Sequence, residues 1–576
     1  MSLTIATAGH VDHGKSTLVE ALTGSHPDRL AAEAARGLTI DLGFGAAQLP
    51  SGRTLSIVDV PGHERFIRNM LAGVGAIDAC LFVVAANEGW MPQSEEHLRI
   101  LELLGVSQGV IALTKVAVCE PDIAHLAHLE VTEKAAGTFL ADAPVVPTDV
   151  PTGIGLQELR SELDRLLDRT PVAANNQRPR LWVDRSFAAK GAGTVVTGTL
   201  GGGPLHIGEE LLLHPNNHMV RVRALQTHHQ EYASIAPGNR VAVNLTGIGY
   251  QQINRGHVLV KPAQWHLTNC FDASVAILST LNHQVSRRGA HTIYIGTSEL
   301  PTKMRILGQQ TIEPADTGLV RLYLQRKLPL LPGDRFVLRE SGRAETIGGG
   351  TVLDVAPVLA ASKANPDGSI HRLIAERGWV EAKELALLTG QNHQPTVGRW
   401  LVSPSLLEQT KIKLRQAVAD AGSVGLDIAA CSDKERAVLG LLAEVVISNG
   451  RARNSAQPDP FQDHPYIVAL QSALFAPPSP VDVGVEVLEA RELTKRGLAI
   501  EQNGIFFAAE AVVEAQGVLT EMLHNKPEGI TVAEIRQRLG TSRKYALALL
   551  AYLDANGITR RREDVRIAGP RLTGPA

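Results

Sequence analysis

The first third of the chain alternates short apolar runs with longer amphipathic ones. Leu3–Thr7, Leu55–Val60, Leu81–Ala85, Val110–Thr114 and Val145–Val146 are short and continuously apolar, and are predicted as buried strands. Gln93–Leu104 and Leu156–Leu167 space their apolar residues as one face of a helix. Strands alternating with helices predict a parallel sheet covered on both faces over residues 1–172. Ala173–Arg180 is short, polar and contains a proline, and reads as a linker. Beyond it the period changes. From Leu181 to about Val355 the chain offers β-branched runs such as Thr194–Thr197, Arg240–Val243, Thr292–Ile295 and Arg335–Leu338 between Gly, Pro and Asn turns. That length suits two small β-barrels, 173–262 and 263–356, with a seam near Lys261-Pro262. After Ala356 the helical period returns in Ala382–Thr389, Lys434–Ile447 and Val532–Leu553. Strand-like pieces follow some of these segments, for example Val445–Asn449 and Leu498–Phe507. Repeated helix–helix–strand units predict tandem winged-helix modules over 357–576, the last at about 516–576.

Composition limits the class without naming a partner. At 576 residues the chain exceeds one hydrophobic core, and about 150 residues per domain gives roughly four domains. It is 44% apolar and 20% charged with a mean hydropathy of +0.01, as globular proteins are. A net charge of −3 leaves partners open, because local asymmetry hides in a balanced total. Cys80, Cys119, Cys270 and Cys431 lie far apart with no C-x-x-C pair, which argues against a disulfide framework or a zinc site and for a reducing compartment. Met1–Ala8 runs into a motif without a basic and apolar leader, and no apolar run nears the ~20 residues that span a bilayer. A soluble, cytoplasmic monomer with no membrane contact is expected.

The chemistry begins at Gly9. His10-Val11-Asp12-His13-Gly14-Lys15-Ser16-Thr17 with Gly9 matches G-x-x-x-x-G-K-[ST], after a predicted strand and before the helical run Leu18–Leu22. Backbone N–H groups of such a loop converge on phosphate oxygens, the helix terminus adds its positive end, and Lys15 supplies a point charge. Ser16 is a magnesium ligand candidate. Asp59-Val60-Pro61-Gly62-His63 follows the next apolar strand, placing Asp59 for the metal shell and the Gly62 N–H for a terminal phosphate. Between them, Thr39 in Arg36-Gly37-Leu38-Thr39-Ile40-Asp41 is a magnesium ligand only while a γ-phosphate holds the loop, giving an order–disorder switch.

Together G-H-V-D-H-G-K-S, R-G-L-T-I-D and D-V-P-G-H-E resemble the translation-factor GTPases of the elongation factor Tu superfamily. The resemblance implies a P-loop GTPase domain, GTP and Mg²⁺ as ligands, and His63 as the residue that positions the attacking water. It further implies Val11 and Ile40 as an apolar gate that holds His63 back until the ribosome acts. One motif departs. The superfamily reads guanine with N-K-x-D, and here the stretch is Thr114-Lys115-Val116-Ala117. Thr114 and Lys115 remain as base-side candidates, but Ala117 has no carboxylate, and losing a charge-assisted hydrogen bond of that kind costs about 1.5–3 kcal/mol. The S-A-x element is likewise poorly matched, at Thr148-Asp149-Val150.

Two further features narrow the family. Lys190–Gly198 is similar to the second-domain signature of factors that carry aminoacyl-tRNA. Near the carboxy terminus Val532, Ile535 and Leu539 share a helical face, and Thr541-Ser542 is predicted to cap a helix with Tyr545, Leu549, Leu550 and Leu553 on its core side. Arg543 and Lys544 start that helix, and Asn556-Gly557 turns into a strand bearing Arg560, Arg561 and Arg562. From Ala533 onward nine Lys/Arg face four Asp/Glu, a net +5 that marks a nucleic-acid footprint. The whole chain resembles the bacterial selenocysteine-specific elongation factors. That implies delivery of selenocysteyl-tRNA to the ribosome at an internal UGA codon, with the last winged helix on an mRNA hairpin. It also implies a selenocysteine pocket at Asp41, Arg185 and Arg240. A selenol is more acidic than a thiol, so arginines would favour its anion over a serine hydroxyl. An RNA-tethering protein of the same architecture with a degenerate, weakly guanine-specific or non-hydrolysing nucleotide site, and another translational GTPase such as an initiation-factor γ-type subunit, stand as alternatives.

Overall fold

A computed structural model of the chain describes residues 3–26, 41–63, 69–71, 77, 79–191, 193–228, 230–448, 450–456 and 463–572. Thr39 and Ile40, with the rest of Arg36–Ile40, lie outside the described residues.

In the amino-terminal domain the apolar runs form β1 (Leu3–Ala8), β3 (Thr54–Asp59), β4 (Ala79–Ala85), β5 (Gln108–Thr114) and β6 (Val145–Pro147), all parallel to their neighbours in the order β3-β1-β4-β5-β6. The sheet is not wholly parallel as expected. An edge strand, β2 (Gly43–Gln48), runs antiparallel to β3, and with two glycines and two alanines it carries no strand signal of its own. Among the described residues four helices cover the two faces. Leu18, Val19 and Leu22 of α1 (Lys15–Thr23) and Leu159, Leu163 and Leu166 of α4 (Leu156–Arg169) bury one side with Ile5, Ile57 and Val83. Leu98 and Leu101 of α2 (Pro92–Leu103) and Ala127, Val131 and Ala135 of α3 (Pro121–Ala135) bury the other with Ala6, Val58 and Phe82. Side chains alternate across each strand, so both faces of the central strands are apolar, which is why those strands read as continuous apolar runs.

Strands between Arg180 and Val260 form the first barrel, where Glu210–His214 closes the ring by pairing with both Val258–Val260 and His218–Thr227. A second closed barrel runs from Leu267–Ile277 to Glu345–Asp354. The barrels meet through a bidentate ion pair from Arg180 to Asp334 at 2.5 and 2.6 Å, with the Arg180 guanidinium 4.9 Å over Trp265. The second barrel reaches the first domain through Arg339 and Glu96, 3.1 Å apart, and its Tyr294 and Val337 share that domain's core.

A first helical unit, Ile370–Arg377 and Ala382–Thr389 with the strand pair Trp379–Glu381 and Trp400–Val402, belongs to the same compact body, which ends at Ser403. Pro404–Ala576 forms a second compact body. It repeats the predicted unit, helices followed by a wing, with wing strands at Val445–Ser448 and Arg451–Asn454, Ala499–Gln502 and Ile505–Ala508, and Thr559–Arg562 and Val565–Ala568. Among the described residues no helix is long and apolar enough to cross a membrane. All four cysteines are free thiols.

Candidate nucleotide and tRNA sites

The phosphate loop leaves β1 at Gly9, whose φ of +129° and whose position, where a Cβ would stand 2.1 Å from the Val83 carbonyl oxygen, admit only glycine. Its N–H donates to His97 Nδ1 of α2 at 3.1 Å, and the Val11 N–H donates to Gln93 Oε1 at 3.3 Å. His97 is buried, and burial pushes its pKa down to about 3, so the ring is a neutral acceptor with its proton on Nε2. Asp12 takes a left-handed φ of 62° at the exposed crest of the loop. His10 is half-buried 5.2 Å from the His13 ring, and burial, then Lys15, lower its pKa.

His13 departs from a ligand-facing role. Its ring is fully buried 3.4 Å from the Val83 carbonyl, with its pKa brought down to about 4 by burial, and only its backbone faces the loop. Thr114 acts similarly from β5: its hydroxyl donates to the His13 carbonyl at 2.7 Å, so it ties the end of β5 to the loop instead of facing a base.

Gly14 caps α1, and Lys15 at its first position is buried. The Lys15 ammonium donates to the Gly9 and His10 carbonyls at 3.1 and 2.5 Å, curling the loop around a cation. Burial lowers its pKa to about 8 against the opposing pull of Asp59 and Asp12. Ser16 donates to Asp59 Oδ2 at 2.6 Å, and Thr7 donates to Asp59 Oδ1 at 2.7 Å. A hydroxyl and a fully buried carboxylate at the start of a helix form a hard oxygen donor set that fits Mg²⁺. Thr17 is exposed on the same turn. Gly62 closes the site from the other side. A Cβ there would come within 2.3 Å of the Lys15 ammonium and 2.8 Å of the Val11 nitrogen, so the backbone approaches as only glycine allows. His63 follows, half-buried and near enough to His10 for their charges to interact.

The base-side stretch lies at the end of β5. Lys115 takes a φ of 60° and pairs with Glu88 at 3.3 Å, and Ala117 is exposed in the short turn that follows.

The three residues of the expected selenocysteine pocket come together at one edge of this domain. Arg185 and Arg240 lie on strands that both pair with Gly193–Gly201, opposite Thr197 and Thr199. From Gly193 the signature runs into this strand, Gly193–Gly201, which sets their spacing. Their guanidinium carbons stand 4.6 and 3.4 Å from the Phe44 ring centroid. Arg240 is fixed by Asp184 at 3.0 and 3.2 Å and by the Thr197 hydroxyl at 2.9 Å. Arg185 donates to the Leu42 carbonyl and lies 3.5 Å from Asp41. A third arginine, Arg255, holds Asp41 at 2.9 Å and Asn69 at 2.8 Å. Burial alone would raise the Asp41 pKa, but Arg255, the Leu42 N–H and Arg185 outweigh it and hold the carboxyl below its usual range. Three guanidiniums against two carboxylates leave the pocket cationic.

In the second body, Arg543 and Lys544 are exposed on the first turn of the helix Arg543–Ala555, and Arg560, Arg561 and Arg562 are exposed on the wing strand Thr559–Arg562. One local expectation fails. Ser542 is the N-cap residue but its hydroxyl makes no cap bond, and Thr541 donates instead to the Phe475 carbonyl. The capping box lies one helix earlier, Thr531 with Glu534. Arg566 is a structural cation, paired with Asp554 at 2.8 Å.

Comparison with known proteins places this arrangement. Residues 1–169 match the elongation factor Tu GTP binding domain, 193–260 the elongation factor Tu domain 2, 272–358 the selenocysteine-specific elongation factor β-barrel domain, and 521–568 the elongation factor SelB winged helix. The selenocysteine-specific elongation factor of Escherichia coli is 31% identical over 99% of this chain and 99% of its own length. The chain belongs to the selenocysteine-specific elongation factors. The Desulfomicrobium baculatum member is 41% identical over 62% of the chain, a match spanning 56% of that relative. A crystal structure of a bacterial selenocysteine-specific elongation factor superposes with a TM-score of 0.71 at 25% identity, covering 98% of this chain and 99% of that one. Neither alternative reading of the sequence gains support from these matches.

Four residues of the candidate sites were not singled out in the sequence. His97 and Gln93 hold the loop from 88 and 82 residues further along the chain, and Phe44 and Arg255 complete the arginine cluster. Gln93 and His97 share a helix face by their i, i+4 spacing, which was the available signal; Phe44 and Arg255 had none.

Proposed function

We propose that the factor binds GTP with Mg²⁺ and selenocysteyl-tRNA, brings the tRNA to the ribosome at an internal UGA codon marked by an mRNA hairpin, and releases it when GTP is hydrolysed. The observation that carries this reading is the pocket of Arg185, Arg240 and Arg255 around Phe44 and Asp41, one strand pair from the phosphate loop. A selenolate entering it meets delocalised cations, with the Arg240 fork held by Asp184, whereas a neutral serine hydroxyl gains far less from them.

The nucleotide half follows from the chain's own groups. Loop amides and Lys15 bind and orient the phosphates, Ser16 and Asp59 hold Mg²⁺, which supplies charge neutralisation, and Thr39 completes that set when the switch closes. His63, carried just past Gly62, orients the attacking water, with Val11 on the gate that restrains it. At the other end Arg543, Lys544 and Arg560–Arg562 present positive charge to the phosphates of the hairpin.

The test is binding of selenocysteyl-tRNA and seryl-tRNA to the GTP-bound protein, with Arg240→Met as the variant. Selenocysteyl-tRNA is expected to bind at least about tenfold tighter in the wild type, and Arg240→Met to remove that preference while leaving seryl-tRNA affinity unchanged. Equal affinity for the two tRNAs in the wild type would refute the reading.

A further inference from the structure

Ala117 leaves the factor without a carboxylate where its motif calls for one, yet the end of β5 opens into a cavity of about 430 Å³, a size suited to a small-molecule moiety. Its lining is Asn87, Ala117, Val118, Cys119, Glu120 and Ile123. The cavity lies at the carboxyl end of the sheet, between Asn87 after β4 and the start of α3, and at that same end Thr114 bonds the loop carbonyl of His13. A nucleotide with its phosphates on Gly9–Ser16 directs its base over the carboxyl ends of β4 and β5, where ligands of open α/β sheets sit.

Four of the nearby acidic groups are not available to read that base. Glu88 pairs with Lys115 at 3.3 Å. Glu130 accepts the Trp90 N–H at 2.9 Å. Asp149 is buried in its own turn, accepting from the Thr152 N–H at 3.1 Å and the Thr152 hydroxyl at 2.7 Å. Asp122 is exposed on the first turn of α3 and does not line the cavity. Glu120 does line it, is exposed, and makes no cap bond to α3; among the described residues its carboxylate has no hydrogen-bond or ion-pair partner.

We propose that Glu120 is the base-reading carboxylate of this factor, accepting from the N1–H and exocyclic amino group of guanine three residues beyond the alanine that cannot. The assignment rests on the GTP-binding reading above. Guanine offers two adjacent donors to one carboxylate, whereas adenine turns a lone pair at N1 toward it and is repelled. Discrimination therefore comes from repulsion as well as from the bonds formed.

The test is equilibrium titration of the full-length protein with fluorescent GDP, ADP and XDP, comparing wild type, E120Q and A117D/E120Q. The wild type is expected to prefer GDP to ADP by about tenfold or more. E120Q should lose about tenfold to a hundredfold of GDP affinity, leave ADP binding nearly unchanged, and gain XDP, because the glutamine amide donates to the C2 carbonyl of xanthine. That gain cannot arise from misfolding, and A117D/E120Q should restore GDP preference. If E120Q binds nucleotides with the wild-type GDP-to-ADP ratio, or the wild type shows no preference, the proposal is overturned while the nucleotide site stands. If the wild type binds none of the three, the GTP-binding reading falls and the proposal falls with it.

Discussion

Acid should weaken the phosphate loop through His97, and two substitutions separate its proton from its hydrogen bond. In the folded protein His97 titrates at about 3 against an ordinary 6.5. The folded chain therefore binds fewer protons than the unfolded chain between these values. Stability is complete above pH 6.5 and falls as the pH drops through that window. Taking the domain from pH 8 to pH 5.5 costs about 1.4 kcal/mol from this one group, because about ten unfolded molecules in eleven then carry the proton. His13, at about 4 in the fold, adds a similar amount. His97→Asn keeps an acceptor for the Gly9 N–H and removes the proton site, so the acid loss should fall by about half, from roughly 3 to roughly 1.5 kcal/mol. His97→Leu strands the buried Gly9 N–H and should be less stable than His97→Asn at pH 8 by about 1–3 kcal/mol. Native-state hydrogen exchange on peptides from β1 and β4 reads the opening free energy of this domain alone. The same acid loss in wild type and His97→Asn, or equal stability of the Asn and Leu variants at pH 8, would refute the reasoning.

Lys15 sets the alkaline limit of nucleotide binding. With its amine at about 8 in the free protein, GDP affinity should be level below pH 8 and weaken up to about tenfold per unit above it, and a dissociation constant unchanged from pH 7 to 9.5 would contradict this. Gly62→Ala drives a Cβ into the Lys15 ammonium and the Val11 amide, so the loop after β3 must retreat; a non-hydrolysable GTP analogue should lose about tenfold or more in affinity, measured by calorimetry, and GDP less. Replacing Arg560, Arg561 and Arg562 with Ala should lower the slope of log affinity against log salt for an mRNA hairpin by about two to three, whereas an unchanged slope would take the wing off the RNA.

Much of this was legible in the sequence, for a physical reason. Strands buried on both faces must be continuously apolar, so β1, β3, β4, β5 and β6 announced themselves within a residue or two of their ends. The phosphate loop was legible because its glycines and Lys15 answer to backbone geometry that few other sequences satisfy. What stayed hidden depends on tertiary contact. β2 has small residues and takes its conformation from pairing with β3. The role of His97 follows from a neutral ring accepting a loop N–H, which burial alone makes possible. Thr114 and His13 sit in nucleotide motifs yet serve each other, the hydroxyl of one bonding the carbonyl of the other.

The two sites of the factor share one pair of strands, and that register makes a claim about coupling. Gly43 pairs with Asp59 and Phe44 with Val58, so the ring beneath Arg185 and Arg240 is one residue from the carboxylate that holds Ser16. A ligand that favours one position of Asp41–Phe44 thereby favours one position of Asp59, and linkage requires each ligand to change the other's affinity by the same factor. Phe44→Ala removes the ring from two guanidiniums without touching the phosphate loop. Contacts of that kind are worth about 0.5–2 kcal/mol, so the factor by which GTP tightens selenocysteyl-tRNA binding should fall about twofold to thirtyfold. GDP affinity should not move. Measuring tRNA affinity with and without a GTP analogue in both proteins decides the matter: an unchanged factor would mean that the nucleotide state reaches the tRNA by a route other than β2 and β3.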